Sequence, residues 1–493
     1  MNYKFSLLKE WPKLAWVCIL DKKKNNIDIF HGPNVESGKD WIVEGVWDGD
    51  FEKGDFDKTD LIFGSGVRFR NNSVVFVSAG SGMERLWYAD YRNIIFVANN
   101  LPGLLSVSGF DLLENYRDYF SDLASAERVG LFSCIKKIPS TGPDLNIVYF
   151  NNLIFENQEL KEAEKPFNKK KFEDFKDYES YLIESAEKIG KNSRSGKRKF
   201  KIEMLVGLST GYDSIATAVI SKYAGCKKSV SIKNATSIWK RSDSGEKIAQ
   251  YLKLDCSSYV HKASKYKNEI SSWAVMGHGG GRNMTVFDFP EPLGLFFSGN
   301  YGDTVWERNS VRHKEPKVGM NMMLCEFRVI QGLFITTVPW WGIRNLDDIY
   351  KISNMEEMKK WRLSSDYDRP VARRIIEEAG VPRGEFALKK YNTASNSPFW
   401  WPGSVEARNS FNRYLKQRGK QGYSNFKADL LSIIYKILYL TDINIFRKLN
   451  IKSWKPWLKT RGRDELFVWA NHSMKKLYPF DSESVKNKTG FTK

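Results

Sequence analysis

The residues best suited to chemistry lie in one short loop, Ser209-Thr-Gly-Tyr-Asp-Ser214. The loop follows an apolar, β-rich run, Ile202 to Leu208, and opens directly into a helix-like run, Ile215 to Lys222. A strand that ends in a small-residue loop and passes into a helix is a recipe for holding phosphate. The N–H groups of the first helical turn have no intrahelical acceptor, and the helix dipole favours an anion there. Gly211 lets the backbone approach a ligand, and Ser209 and Ser214 add hydroxyl donors. Asp213 would repel a bare phosphate, so its carboxylate either orients the loop or meets a magnesium ion. An ordinary strand-to-helix turn capped by Ser and Asp has the same composition and stays open as an alternative.

The order Ser-x-Gly-x-Asp-Ser after a strand resembles the pyrophosphate loop of the ATP pyrophosphatases, usually Ser-Gly-Gly-x-Asp-Ser. No Gly-Lys-Ser/Thr follows, so this is not a Walker loop. Thr210 stands where that family has Gly. A second segment, Ser298-Gly-Asn-Tyr-Gly-Asp-Thr-Val-Trp306, resembles a glycine-rich, acidic segment of asparagine synthetases and β-lactam synthetases. It departs from that segment at Asn300 and Thr304, where the family has acids. Glu326-Phe-Arg328, Val338-Pro339, Tyr367 to Pro382 and Glu385 to Lys390 then follow in the order of the same family.

This resemblance covers most of the chain, weakly in the first third and more specifically from 200 to 395. It implies ATP held by Ser209, Thr210, Gly211, Tyr212, Asp213 and Ser214, with Gly299 and Gly302 beside them. It implies Mg²⁺ at Asp213 and Asp303, both hard oxygen ligands. It implies a catalytic lysine at Lys390, or at its neighbour Lys389, that stabilises charge developing during the reaction. Leu388 stands where Arg is usual. In the first third, Gly82 to Tyr88 and Phe96 to Leu105 resemble segments of the family's glutaminase domain. That domain works through Cys at position two. Here position two is Asn2, and Cys18 lies within an apolar run, so the glutaminase fold is expected to be inactive.

The implied activity is an ATP-dependent, AMP-forming ligase that adenylates a carboxylate and couples it to an amine, as in macrolactam closure or carboxylate amidation. Its expected partners are a small-molecule or peptide carboxylate and an amine donor, with a pathway protein or a second copy possible. A tRNA-modifying pyrophosphatase and a non-catalytic nucleotide-binding relative are the alternatives. The latter would explain the departures at Thr210, Asn300, Thr304 and Leu388.

The bulk composition sets outer limits. A chain of 493 residues exceeds one hydrophobic core and predicts two or three domains. Its apolar content of 42% is that of a folded protein. Five scattered cysteines with no Cys-x-x-Cys pair argue against a zinc ribbon and fit a reducing cytoplasm. No apolar run is long enough to predict a membrane span, and no signal peptide is expected at the N-terminus. Leu430 to Leu440, interrupted by Lys436, reads as a buried helix. The net charge of +19 suits an anionic partner such as nucleic acid, an acidic glycan, a membrane surface or nucleotide, or else a solvated basic surface.

The expected fold is α/β. A β-rich, N-terminal-nucleophile-glutaminase-like domain spans 1–160, a charged helix and linker 161–199, and a parallel-sheet pyrophosphatase domain with a helical C-terminal part 200–493. Strand-like runs separated by turns fill the first part, with a short helical region over Phe110 to Ala126. A hairpin is expected around Asn151-Asn152. Phe172, Phe175, Tyr178, Leu182 and Ile189 recur at helical spacing, and the basic stretch Lys191 to Lys199 reads as a solvated linker. Beyond 200, strands at Ile202 to Leu208, Ser229 to Ile232, Leu254 to Val260 and Leu293 to Ser298 alternate with helices, which predicts a parallel sheet.

Overall fold

The computed structural model describes residues 2–167, 171–233, 243–308, 315, 317–318, 324–363, 367–387, 399–441 and 462–481. The chain is mixed α/β, with two largely antiparallel sheets, a separate all-parallel sheet, and helices between and after them.

The first two sheets stack face to face. One has seven strands in the order Asn2–Leu7, Asn26–His31, Trp16–Asp21, Ile94–Ala98, Leu86–Tyr91, Leu145–Val148, Lys137–Ile138. The other has six, in the order Glu159–Ala163, Asn152–Glu156, Ser73–Val77, Ile62–Arg70, Trp41–Trp47, Glu36–Ser37. Strand Trp16–Asp21 shows why the layers form. Trp16, Cys18 and Leu20 point into the core between the sheets, while Val17 and Ile19 point the other way, toward the helix Leu101–Ser108. Both faces of a period-two strand are apolar, so both must be covered.

Three expectations for this part are corrected. The helix of this region is Leu101–Ser108, earlier than predicted, capped by Asn100, whose side chain accepts from Gly103 N–H at 2.7 Å. Asn100 with Pro102 just behind it is a start signal that the apolar reading passed over. Only the short helices Tyr119–Leu123 and Ser125–Arg128 follow within Phe110 to Ala126. Second, Asn151-Asn152 is not a hairpin turn. Leu145–Val148 pairs in the seven-stranded sheet and Asn152–Glu156 in the six-stranded one, so the chain changes sheet there, through Phe150 at φ +59°. The real hairpin joins Asn152–Glu156 to Glu159–Ala163 through Asn157 and Gln158, both at positive φ, the geometry that suits strand twist. Third, the stretch 191–199 is not simply a solvated linker. Arg198 is buried, where it pairs with Glu36 and donates to the Gly45 carbonyl at 3.0 Å.

The helix Phe175–Ser193 starts on Asp174, which accepts from Asp177 N–H at 2.9 Å, and buries the predicted face of Phe175, Tyr178, Leu182 and Ile189. The parallel sheet follows, in the order Asp255–Tyr259, Lys228–Ile232, Ile202–Gly207, Leu293–Ser298, Leu333–Thr337. The fifth strand, Leu333–Thr337, adds to the four expected. The chain starts in the middle, steps twice to one side, then returns to the other. Its carboxyl edge therefore opens between Ile202–Gly207 and Leu293–Ser298, where doubly wound sheets take their ligands. Met204, Val206 and Phe297 cover one face against the helix Tyr212–Tyr223, while Leu205, Phe296 and Ile335 cover the other. Helices dominate beyond 346: Leu346–Asn354, Pro370–Glu378, Val405–Gln417, Asn425–Thr441 and Arg463–Met474. Leu430 to Leu440 is helical as expected, but the expected burial holds on one side only: Leu431 and Tyr435 pack against the core, while Leu430, Ile433 and Ile437 are exposed. No described helix is long and apolar enough to cross a membrane. All five cysteines are free thiols.

A buried ionic network ties the stacked sheets to the parallel one. Arg328, on the helix Cys325–Gln331, donates from Nη1 and Nη2 to Glu44 at 2.7 and 2.8 Å. Its Nε lies 3.0 Å from Glu84, and all three side chains are almost fully buried. Glu44 also accepts from Ser65 and Asn99, which spreads its charge over four donors. Burial pushes the Glu84 carboxyl well up, against the pull of Arg328. Glu326, the neighbouring acid, accepts weakly from Leu101 N–H, and burial pushes it up to about 7. The Glu326-Phe-Arg328 segment thus faces a seam between sheets. Replacing Arg328 by Met should leave two buried carboxylates unpaired and cost about 3–5 kcal/mol, read from urea unfolding of the full chain.

At another seam, His278 packs between Phe120 and Trp400, with ring centroids at 6.0 and 4.3 Å. Burial, with Arg463 and Arg282 nearby, pulls its pKa down to about 3. A histidine lowered by folding contributes stability that is complete above its unfolded value near 6.5 and is lost as pH falls toward the folded value. His278→Phe should therefore gain on the wild type in urea midpoint as pH drops from 6.5 to 5, a difference absent at pH 8.

Candidate functional site

The loop Ser209–Ser214 leaves the central strand at the switch point and enters the helix Tyr212–Tyr223, whose N-cap is Gly211. Its donors are largely spoken for. Ser209 N–H donates to Ser214 Oγ at 3.1 Å, and the two hydroxyl oxygens lie 2.8 Å apart. Gly211 N–H donates to Ser209 Oγ at 3.2 Å. The serine hydroxyls expected to meet phosphate therefore also brace the loop. In the first turn of the helix that follows, the N–H groups of Asp213 and Ser214 lack intrahelical acceptors, while that of Tyr212 donates to the Tyr367 hydroxyl.

Thr210 has a specific partner. Its N–H and its hydroxyl both donate to Asp243 Oδ1, at 3.1 and 2.5 Å. Asp243 is buried, and burial raises its carboxyl pKa against these two bonds. The Thr in place of Gly is thus one half of a tether that holds the loop to the segment beginning at Asp243. Tyr212 turns its side chain away from the loop. The buried ring packs against Tyr367 and Phe386, at 4.9 and 5.8 Å, and its hydroxyl accepts from Arg373.

The second segment lies against the first. Strand Leu293–Ser298 runs beside Ile202–Gly207 in register, Val206 opposite Phe297, so both loops leave the same edge. Gly299 and Gly302 make the contact possible. A Cβ on Gly299 would sit 2.6 Å from the Asp213 carbonyl carbon, and one on Gly302 would sit 2.1 Å from Asp213 Cγ. Tyr301 between them takes φ +71°, and its hydroxyl donates to the Gly82 carbonyl at 3.1 Å. The turn is thereby anchored to the stacked sheets as well. Asn300 N–H donates to Ser298 Oγ at 3.3 Å, a local brace where the family segment has an acid.

Asp213 is the centre of the charge. It accepts from Arg369, whose Nε donates to Glu307 at 3.1 Å. Burial pushes its pKa up to about 6, with Asp303 and Glu307 adding to the rise and Arg369 opposing it. Asp303 is exposed at the start of the short helix Gly302–Val305. Three carboxylates around one guanidinium leave the cluster net negative. Asp213 Oδ1 is buried without a hydrogen-bond partner. Among the described residues, no three His, Cys, Asp or Glu side chains form a ready metal cage. An orphaned carboxylate oxygen beside a second, exposed carboxylate fits Mg²⁺ only when other oxygens complete its shell, as phosphate oxygens do. A bare anion would be repelled here, whereas a cation–polyphosphate pair would not.

Arg369, Glu307 and Asp243 are site residues that the motifs did not name. Glu307 directly follows the second segment, and Arg369 lies within the Tyr367 to Pro382 stretch, so proximity in sequence was a usable signal. Asp243 carried none. Lys389, Lys390 and Leu388 lie outside the described residues. The chain enters that stretch from Ala387, whose N–H donates to the Thr210 carbonyl at 2.8 Å. At the other end of the molecule, Asn2 is exposed on an edge strand, and Cys18 is buried between the sheets, where burial pushes its thiol well up.

The chain matches no family model, and no curated protein matches it either.

Thr210→Val keeps the N–H bond to Asp243 but removes the hydroxyl one. It should cost about 1–3 kcal/mol in urea unfolding, the range for a hydrogen bond to a buried charged group. Thr210→Ser should recover most of that loss.

Proposed function

We propose that this chain is an ATP-dependent, amide-bond-forming ligase of the asparagine synthetase kind, with the Ser209–Ser214 loop as its pyrophosphate site. One observation carries the reading. Two segments 84 residues apart (Ser214 to Ser298), each resembling a motif of one family, leave adjacent parallel strands at the switch point. They interlock through Gly299 and Gly302 against Asp213. Under this reading the stacked sheets correspond to the glutaminase-like part and the five-stranded sheet to the pyrophosphatase part.

In the reaction, a substrate carboxylate oxygen attacks the α-phosphorus of ATP, the bond to the β-phosphate oxygen breaks, and pyrophosphate leaves. An amine nitrogen then attacks the activated carbonyl, the carbon–oxygen bond to AMP breaks, and the nitrogen loses a proton. The first turn of the helix Tyr212–Tyr223 binds the departing pyrophosphate through its N–H groups. Asp213 and Asp303 would hold Mg²⁺, which supplies neutralisation of phosphate charge when bound. Arg369 keeps Asp213 oriented and largely ionised at neutral pH. Lys390 or Lys389 stabilises charge at the reacting phosphorus or carbonyl. The thiols of Cys18, Cys134, Cys226 and Cys325 are buried and raised in pKa, and Cys256 is raised as well. None is set up as a glutaminase nucleophile, which favours ammonia or an amine on the substrate as the nitrogen source.

A second reading, a nucleotide-binding relative without catalysis, draws on the Thr210–Asp243 tether. It occupies one loop N–H and places a carboxylate beside the anion site.

Pyrophosphate–ATP exchange with Mg²⁺ separates these readings. Exchange that requires a carboxylic acid from a test panel supports the ligase, and exchange that requires RNA points to a nucleic-acid-modifying pyrophosphatase. ATP binding without exchange under any condition supports the second reading. Asp213→Asn should remove exchange, by about a hundredfold or more if the carboxylate is a metal ligand in the reacting complex. Gly302→Ala, which forces Asp213 aside, should lower it comparably while far-UV circular dichroism stays unchanged. Full exchange in Asp213→Asn would show that this loop is not the ATP site.

A further inference from the structure

The helix Asn425–Thr441 is apolar on two faces, and the molecule covers only one of them. Ala428 is buried, Leu431 and Tyr435 pack against the main core, and the Tyr435 ring lies 5.2 Å from that of Phe399. On the opposite side Phe426, Leu430, Ile433, Ile434 and Ile437 stand out at 79%, 46%, 58%, 40% and 58% exposure. Their spacing of three and four residues puts them in one stripe along the axis. Scattered exposed apolar side chains are ordinary, but five large ones in a continuous stripe mark a surface that meets something apolar.

The charge around the stripe selects the partner. Lys427 lies on one flank and Lys436 on the other, both exposed. The helix has one acid, Asp429, and it is paired with Arg408 at 2.6 Å. The chain that runs on from this helix, 442–461, contains Arg447, Lys448, Lys452, Lys455, Lys459 and Arg461 against the single acid Asp442, together with Trp454 and Trp457. The whole chain is at +19. A second copy would bring lysine against lysine and one strongly positive molecule against another. An anionic lipid surface offers both an apolar interior for the stripe and negative headgroups for its basic flanks. A helix with an apolar face, basic flanks and no capacity to span is the form that lies in the plane of a bilayer interface.

We infer that the helix Asn425–Thr441 docks the protein in-plane onto an anionic phospholipid surface through its Phe426–Ile437 stripe. This rests on the helix and the charge of the chain, not on the ligase reading, and stands whether or not that reading does.

The test is co-sedimentation of the full-length protein with vesicles of phosphatidylcholine alone and of phosphatidylcholine with about a third phosphatidylglycerol. Binding to the anionic vesicles should exceed binding to neutral ones by about tenfold or more and should weaken as salt rises to about 0.5 M. The paired substitution Ile433→Ser with Ile437→Ser should reduce binding by about tenfold or more, since it removes two apolar side chains from the interface. Lys427→Glu with Lys436→Glu should reduce it and flatten its salt dependence. These positions face solvent, so thermal unfolding midpoints should not move, which separates lost docking from lost folding. Equal sedimentation of the serine variant, or no sedimentation with anionic vesicles, would overturn the inference. So would a vesicle-free dimer, seen by analytical ultracentrifugation, that the serine pair dissociates, because the stripe would then belong to a second copy.

Discussion

Asp213 has room beside the second loop only because positions 299 and 302 carry hydrogen where other residues carry a Cβ. Most of the site's geometry follows from that contact. Two loops from neighbouring strands approach until backbone touches backbone, and the carboxylate of one is held within the turn of the other. Tyr301, forced to positive φ between the two glycines, sends its hydroxyl to Gly82 and so links the turn to the stacked sheets. A substitution at either glycine would part the loops, move the orphaned Asp213 Oδ1 and loosen the seam in a single step.

The electrostatics at this point are poised between two demands. Burial favours a neutral Asp213, whereas Arg369 favours its anion, and Asp303 and Glu307 add negative charge from either side. Without a cation beyond Arg369 the cluster is negative, which disfavours a free polyphosphate and favours one that arrives with a metal. The Thr210–Asp243 tether acts on the same loop from behind. It exchanges the flexibility of a second glycine for a fixed backbone position, at the expense of one N–H otherwise open to a ligand. In a loop that must hold its shape before any ligand arrives, that exchange lowers the ordering cost of binding.

Legibility in the sequence varied with the range of the interaction. The strand–loop–helix at 202–223 was readable because an apolar run, a glycine and a helix-like run lie consecutively. The second loop was readable for the same reason, as was the face of Phe175–Ser193. Asn151-Asn152 was misread because a turn-like pair signals a change of direction and does not say which sheet receives the next strand. The fifth strand, Leu333–Thr337, lies between a helix and Val338-Pro339 and was passed over in favour of that motif. Arg198 sits in a stretch whose composition is that of a solvated linker, and only its partner Glu36, distant in sequence, shows that it is buried. Leu430 to Leu440 was legible as a helix, but apolar content alone does not tell a buried face from a stripe awaiting a partner.

The sequence by itself determined which segments become strands and helices around the candidate site, that a small-residue loop leads from a strand of the parallel sheet into a helix, and that the chain carries a large positive charge. These are properties of short windows and of sums, which local propensity and composition control. Tertiary structure alone decided that Asp243 claims Thr210, that Arg369 and Glu307 share Asp213, that Arg328 bridges Glu44 and Glu84, and that one apolar stripe of a helix stays outside. Each of these depends on which distant residues are brought within a few ångströms. That is set by how the sheets and helices pack as wholes, and no window of sequence contains it.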